Sequence, residues 1–183
     1  MNWRRSTGML AALGVLAVSV TNAQPVTCPL SGIITYEGSS PMADWKGTNT
    51  AITDQVTWDQ KTGNLTAEVW VDLAKWNSGN GVRDDHTRVM FETERFPKSC
   101  YTVNGVTGDV ASGAITLKGK LDLHGTKHDL DIPGTVKIEN KKFRFNGDFT
   151  THITDWAMKQ SSLLGVQVVD QVKSHIQADG THK

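Results

Sequence analysis

The chain has 183 residues, of which 38% are hydrophobic, and its 19 basic and 19 acidic side chains give a formal net charge of zero at pH 7. This length suits one domain with a sizeable core, and the balanced charge argues against the basic surface of a nucleic-acid-binding protein. Two cysteines without a Cys-x-x-Cys pair give little support to redox catalysis or haem attachment.

The N-terminus has the pattern of an export signal. Arg4 and Arg5 precede an apolar run that is too short to span a bilayer comfortably, and a small-x-small cleavage pattern ends at Ala23. We therefore expect residues 1–23 to be a signal peptide and 24–183 to be the mature domain, with a formal charge of about −2. An uncleaved membrane anchor is the alternative. The expected location is periplasmic or secreted, without stable membrane insertion after cleavage.

Alternation of apolar and polar residues with period two predicts about eight antiparallel strands joined mostly by short turns. The clearest strand places Leu65, Ala67, Val69, Val71 and Leu73 on one face, and the long second strand has an ambiguous phase that suggests a bulge. Such a chain can remove its exposed edges by closing into a barrel, although alternation alone leaves barrel and sandwich open. The predicted strands are 31–38, 45–59, 65–73, 99–106, 114–124, 127–138, 142–153 and 166–176, with a short irregular or helical link at 155–164.

The alternation stops in the segment 76–97. Five turn formers at 77–81 are followed by Asp84, which can cap a short helix, and Val89 and Met90 give that helix an apolar side. A charged helical insert in a β chain indicates a plug at one end of a barrel or sandwich.

The predicted inward faces are apolar and contain small residues. Gly119 and Gly147 lie on these faces, and missing side chains leave apolar space that suits a hydrocarbon tail. Spacing alone favours the alternative, in which both glycines are bulges or barrel corners in a solid core. The predicted lumen residues are Ala67, Val69, Val71, Met90, Phe91, Leu117, Gly119, Leu121, Phe145, Gly147 and Phe149.

Arg83 and His86 are candidates for binding a polar head group at the mouth of the lumen. The alternative is structural: Arg83 pairs with Asp84 or Asp170, and His86 caps a turn. Asp170 is in phase with inward-facing neighbours and would need a partner there.

The remaining side chains with metal or thiol chemistry give weaker signals. Cys28 and Cys100 can form a disulfide outside the cytoplasm, or remain buried free thiols. His124, His128 and His152 could meet at a metal ion, but their spacing is not a known ligand signature, so surface histidines are favoured. We expect no metal and no cofactor.

Taken in order, these segments resemble the YceI-like family of exported lipid-binding proteins. Arg83, Asp84 and His86 match its Arg-Asp-x-His pattern, and 119–126 is similar to its Gly-x-Leu-x-Leu-x-Gly hairpin. Further matches are Trp45-Lys46-Gly47, Phe96-Pro97, Gly147-Asp148-Phe149, Thr154-Asp155, Leu164-Gly165 and Asp170. The resemblance covers nearly all of the mature chain, although the link at 157–161 lacks the usual Gly and Pro.

The resemblance implies an eight-stranded, lipocalin-like antiparallel barrel with a short helical insert between the third and fourth strands. It also implies a long lumen for a polyisoprenoid, quinone or similar lipid, bound reversibly for transport, storage or sequestration, without catalysis. The alternatives are a structural or stress-response barrel with a filled core, and a less favoured hydrolase or isomerase that uses the Arg83–His86 insert. We expect no nucleic-acid partner, and the oligomeric state, monomer or homodimer, stays open.

Overall fold

The protein forms a closed antiparallel β-barrel with one short helix. The computed structural model describes residues 26–53, 55–58, 65–140, 142–163 and 165–181. The predicted signal peptide at 1–23 lies outside these residues. Within the described ranges, no helix is both long enough and apolar enough to cross a bilayer.

The described residues form twelve strands, one α-helix and two short 3-10 turns. The 3-10 turns are Leu73–Lys75 and Ile153–Trp156. The strands and the helix are β1 Val26–Ser40, β2 Ala43–Asn49, β3 Ile52–Thr53, β4 Gln55–Trp58, β5 Leu65–Asp72, α1 Gly81–Met90, β6 Lys98–Asp109, β7 Ala114–Leu123, β8 Thr126–Glu139, β9 Lys142–His152, β10 Ser162–Leu163, β11 Val166–Gln167 and β12 Gln171–Thr181.

Eight strand positions close the barrel. From β5 to β9 each strand pairs antiparallel with the next, then β9 pairs with β12 and β12 pairs with β1. The three short strands β2, β3 and β4 share the position between β1 and β5: the start of β1 pairs with β4 and its end with β2. The pairing of β12 with β1 removes most of the edge that an open sheet would offer to another chain. The predicted eight-stranded barrel with a helical insert after its third strand position is confirmed.

Two predicted strands differ from the observed ones. The ambiguous second strand is interrupted at residues 50–51, between β2 and β3, which explains its mixed phase. The predicted last strand, 166–176, has the wrong bounds: residues 166–167 form β11, which pairs with β10 in a separate hairpin, and the barrel strand β12 begins only at Gln171 and continues to Thr181. Asp170 fixes this boundary: its carboxylate accepts hydrogen bonds from the backbone N–H and the hydroxyl of Thr154, both at 3.0 Å.

The helix α1 begins one turn earlier than predicted. Its N-cap is Asn80, whose side-chain oxygen accepts the Arg83 N–H at 3.1 Å, so the predicted Asp84 cap is wrong. Asp84 instead accepts the N–H and the hydroxyl of Ser78, at 2.9 and 2.6 Å, and ties the preceding turn to the helix. Val89 is 74% exposed, so it does not belong to a packed apolar side.

The half of the barrel away from α1 is solid. Aromatic rings occupy the space that glycines leave in the wall, an arrangement that stabilises strand glycines. A Cβ at Gly119 would lie 2.7 Å from the Tyr101 ring, and one at Gly147 would lie 2.7 Å from the Phe145 ring. The predicted ligand space at these two glycines is therefore filled by the protein itself.

Candidate functional site

The half of the barrel next to α1 contains an apolar cavity of about 590 Å³ that is open at one end. Its wall includes Val69 and Val71 of β5 and Ile176 of β12, which lie on the inward faces of their strands. The mouth lies between three segments: the β1–β2 hairpin, the start of α1 and the β10–β11 hairpin. A cleft of this size suits a drug-sized or lipid-sized ligand.

One face of α1 forms part of this cavity. Arg83, His86, Thr87 and Met90 follow the spacing i, i+3, i+4 and i+7, which places them on the same side of a helix. Thr87 is 9% exposed, and its hydroxyl donates to the Arg83 carbonyl at 2.9 Å. The last turn of α1 packs through Met90 on a second apolar cluster around Trp156. The helix therefore presents polar groups near its start and an apolar side chain near its end.

Arg83 lines the cavity and contacts an aromatic ring instead of forming the structural ion pair considered for it. Its guanidinium carbon lies 5.2 Å from the centroid of the Trp45 ring, within the range of a cation–π contact. The two carboxylates considered as its partners are engaged elsewhere, Asp84 with Ser78 and Asp170 with Thr154. Among the described side chains, none of the ion pairs within 4.0 Å includes Arg83.

The eleven predicted lumen residues divide between the cavity and the solid core. Six of them line the cavity: Val69, Val71, Met90, Phe91, Leu121 and Phe149. Five lie in or against the packed half of the barrel, away from α1: Ala67, Leu117, Gly119, Phe145 and Gly147. His86, the second head-group candidate, is exposed at the cavity wall.

Several cavity residues were missed by the sequence reasoning. Ile34 and Tyr36 lie on β1, and their alternation within the predicted first strand could have indicated them. Trp76 gives no such signal, because it lies in a turn; its ring contacts Tyr36 edge to face with centroids 5.1 Å apart. Trp45 also borders the cavity and was recognised only as part of a family motif.

Tyr101 closes the lower end of the cavity. Its side chain is 8% exposed, and its hydroxyl donates to the Leu130 carbonyl at 2.9 Å, with the Leu117 carbonyl at 3.3 Å. Burial, with a smaller contribution from Asp131, raises the pKa of the Tyr101 hydroxyl well above its ordinary value. The hydroxyl is therefore neutral and keeps its proton for these carbonyls.

The histidines support the turn Ile153–Trp156. The Nδ1–H of His124 donates to the Trp156 carbonyl at 3.2 Å, and the Nε2–H of His128 donates to the Asp155 carbonyl at 2.9 Å. The His124 side chain is only 9% exposed, so its predicted surface location is wrong. His152 has Nδ1 3.6 Å from the Asp155 carboxylate. In the described part of the chain, no group of three potential ligands has the arrangement of a metal site.

Of the two alternatives left open for the cysteines, the structure has the second: Cys28 and Cys100 are both buried free thiols. Cys28 lies on β1 and Cys100 on β6, with β4 and β5 between them. Three strand spacings amount to roughly 14 Å across the sheet, whereas a disulfide joins Cα atoms about 4.4–6.8 Å apart. Burial raises the pKa of both thiols.

Known proteins share this barrel. It is similar to BcnA of Burkholderia cenocepacia, with a TM-score of 0.72, 15% identity, and 82% of this chain and 96% of that chain covered. It is also similar to a polyisoprenoid binding domain from Saccharophagus degradans, with a TM-score of 0.64, 13% identity, and 87% and 100% covered. The Campylobacter jejuni YCEI protein gives a TM-score of 0.65, 17% identity, and 77% and 86% covered. No curated protein sequence matches significantly.

These likenesses, at 13–17% identity, concern the fold. The family is shown by a separate comparison of sequence. The profile of the YceI-like domain matches residues 33–179, which is most of the chain. This protein therefore belongs to the YceI-like family.

Proposed function

We propose that the protein binds one hydrophobic molecule in the cavity, a polyisoprenoid, quinone or similar lipid, and that after export it transports, stores or sequesters this molecule. The observation that carries the proposal is the apolar cavity of about 590 Å³, open at the end where Arg83 and His86 lie. The tail lies among the inward-facing apolar side chains, and the head group lies at the mouth. Membership of the YceI-like family supports this, as does the fold shared with a polyisoprenoid binding domain.

The apolar wall can supply the binding energy. Burial of about ten methylene groups contributes about 8 kcal/mol, which exceeds the lower estimate of about 4 kcal/mol for the entropy lost on association. Arg83 adds a charged donor for an oxygen of the head group. Reversible binding therefore needs no covalent step.

The two alternatives agree less well with the geometry. A structural barrel with a filled core would leave no open half, whereas here the half next to α1 is open. A hydrolase that used His86 as a base would need a carboxylate to orient the ring. The neighbouring carboxylates are engaged otherwise, Asp84 by Ser78 and Asp85 by Arg88.

A pair of adjacent threonines on β9 allows a direct test. Thr151 lines the cavity, and Thr150 is exposed on the outside of the barrel. Delipidated parent protein and the variants Thr151→Phe and Thr150→Phe are titrated with farnesol by calorimetry. We expect Thr151→Phe to weaken binding at least about tenfold, and Thr150→Phe to leave it within about twofold, because only the first ring enters the cavity.

Equal binding by the two variants, or no farnesol binding by the parent protein, would contradict the proposal. Native mass spectrometry of freshly purified protein provides an independent measurement. A co-purified lipid that is retained by Thr150→Phe and lost from Thr151→Phe would support it.

A further inference from the structure

We infer that Tyr101 sets the length of hydrocarbon chain that the cavity can bury, so that the affinity for isoprenoid chains rises up to this length and gains nothing from longer ones. This inference rests on the proposed function, because it concerns the tail of the ligand bound in the same cavity.

The cavity ends at the same level on the neighbouring strands β5 and β6. On β6 the inward residues are Ser99, Tyr101 and Val103; the first two line the cavity, whereas Val103 is 3% exposed and belongs to the solid core. On β5 the same change occurs between Val69, which lines the cavity, and Ala67, which does not. The register pairs Val69 with Tyr101 and Ala67 with Val103, so the two transitions coincide.

On the opposite side of the barrel, the inward residues change from cavity lining to packed core at a corresponding place. On β12, Ile176 lines the cavity, while Ala178, the next inward residue, is 6% exposed in the core and pairs with Phe145 of β9. The Phe145 ring is 5% exposed and lies against the backbone at Gly134 and Gly147. The end of the cavity is therefore backed by a packed layer rather than by a second cavity.

The Tyr101 ring is held in this position by contacts on both sides. Its hydroxyl donates across two strands, to the Leu130 carbonyl of β8 and towards the Leu117 carbonyl of β7. Its ring occupies the space above Gly119, where a Cβ would lie 2.7 Å from the ring. Moving the ring aside would break a buried hydrogen bond and leave a void over Gly119. Tyr101 thus forms a fixed end and not a gate.

The depth follows from β1. Ser40 at the mouth and Ile34 near the closed end both line the cavity, and six residue steps span about 20 Å along a strand, or about 15 Å along the axis of a barrel with ordinary strand tilt. A chain longer than this depth must leave its remaining units outside the mouth, in water. Its affinity should therefore stop increasing with length.

The test uses isoprenoid alcohols of graded length: geraniol, farnesol, geranylgeraniol and solanesol. Equimolar mixtures are presented in micelles to delipidated protein, and occupancy is measured by native mass spectrometry. In the parent protein we expect solanesol to be bound no more than about twofold better than geranylgeraniol. In Tyr101→Ala the preference for geranylgeraniol over farnesol should rise at least about tenfold relative to the parent, because the missing ring extends the cavity at its closed end by about the length of one isoprene unit. Tyr101→Phe keeps the ring and should behave as the parent.

Ser99→Leu tests the inference in the opposite direction and does not open a void. Ser99 lies one inward position above Tyr101 and is 7% exposed, so a leucine there adds bulk just above the closed end. We expect geranylgeraniol binding to fall at least about tenfold while geraniol binding stays within about twofold. If Tyr101→Ala does not give a thermal unfolding transition, Ser99→Leu alone tests whether the closed end of the cavity limits the chain length.

The two failures can be distinguished. If no alcohol binds to the parent, the proposed function fails and the length selection fails with it. If alcohols bind and the order of lengths is the same in the parent, Tyr101→Ala and Ser99→Leu, the role of Tyr101 alone is overturned.

Discussion

The most informative stability experiment concerns Gly119. Its φ lies outside the left-handed region, so alanine is compatible with the backbone conformation itself. The added Cβ would lie 2.4 Å from the Thr102 carbonyl oxygen and 2.7 Å from the Tyr101 ring. Because one of these contacts is with backbone, which cannot rotate away, the overpacking cost should be near the upper end of its usual range, about 3 kcal/mol.

Part of this cost is offset in the unfolded state. Replacing glycine by alanine reduces the entropy of the unfolded chain and stabilises the fold by about 0.4–1 kcal/mol. The net loss in the free energy of unfolding is therefore about 2 kcal/mol, and the melting temperature should fall by about 4–8 °C for a chain of this size. Circular dichroism during heating and during urea denaturation measures both quantities.

Gly105 provides the matched control. It lies on β6, has no heavy atom within 4 Å of the position of an added Cβ, and has a φ outside the left-handed region. Gly105→Ala should leave the protein as stable as the parent or slightly more stable. If Gly119→Ala were as stable as Gly105→Ala, the packing of Tyr101 over Gly119 would be wrong. If folded Gly119→Ala lost farnesol binding at unchanged melting temperature, Gly119 would belong to the cavity after all.

Three further predictions concern charge and thiol chemistry. Arg83→Gln should weaken the binding of farnesyl phosphate about tenfold and leave the affinity for farnesol within about twofold of the parent, because only the phosphate needs the charged donor. Calorimetry that shows equal losses of affinity for the two ligands would contradict this. In oxidised protein, Cys28 and Cys100 should react slowly with a thiol reagent while the protein is folded, because burial raises the pKa of both thiols. Both should react rapidly in urea. Denatured protein without reactive thiols would indicate a disulfide. The hydrogen bond from Arg144 lowers the pKa of Asp179 in the folded protein. The pair therefore stabilises the fold fully at pH values above the unfolded pKa of about 3.9. This stabilisation is lost as the pH falls through the lower pKa that Asp179 has in the folded state. Asp179→Asn should therefore be less stable than the parent at pH 7, with a gap that closes below about pH 4 in urea titrations, and a gap independent of pH would refute the assignment.

The fold class and the inward faces could be predicted from the sequence because alternation is a local property. In a strand, successive side chains point to opposite faces, so Val69 and Val71 were assigned to the interior without knowledge of their neighbours. The insert was equally recognisable, since the run of turn formers at 77–81 interrupts the alternation in any environment. Its N-cap was missed because Asn80 and Asp84 are both good caps, and only the contact of Asp84 with Ser78 distinguishes them.

The extent of the cavity depended on the register between strands, which no local pattern contains. A glycine on an inward face leaves space, but whether this space is open depends on the residue that the neighbouring strand places above it. Here Tyr101 of β6 fills the space at Gly119 of β7, and Ile132 of β8 fills the space at Gly147 together with Phe145 of the same strand as Gly147. The order of strands likewise places β4 and β5 between Cys28 and the strand of Cys100, too far apart for a disulfide. The sequence by itself determined that this protein is an antiparallel all-β chain with an apolar interior, and its family resemblance implied a barrel. The tertiary structure decided which half of that interior is open, because that depends on contacts between residues far apart in the chain.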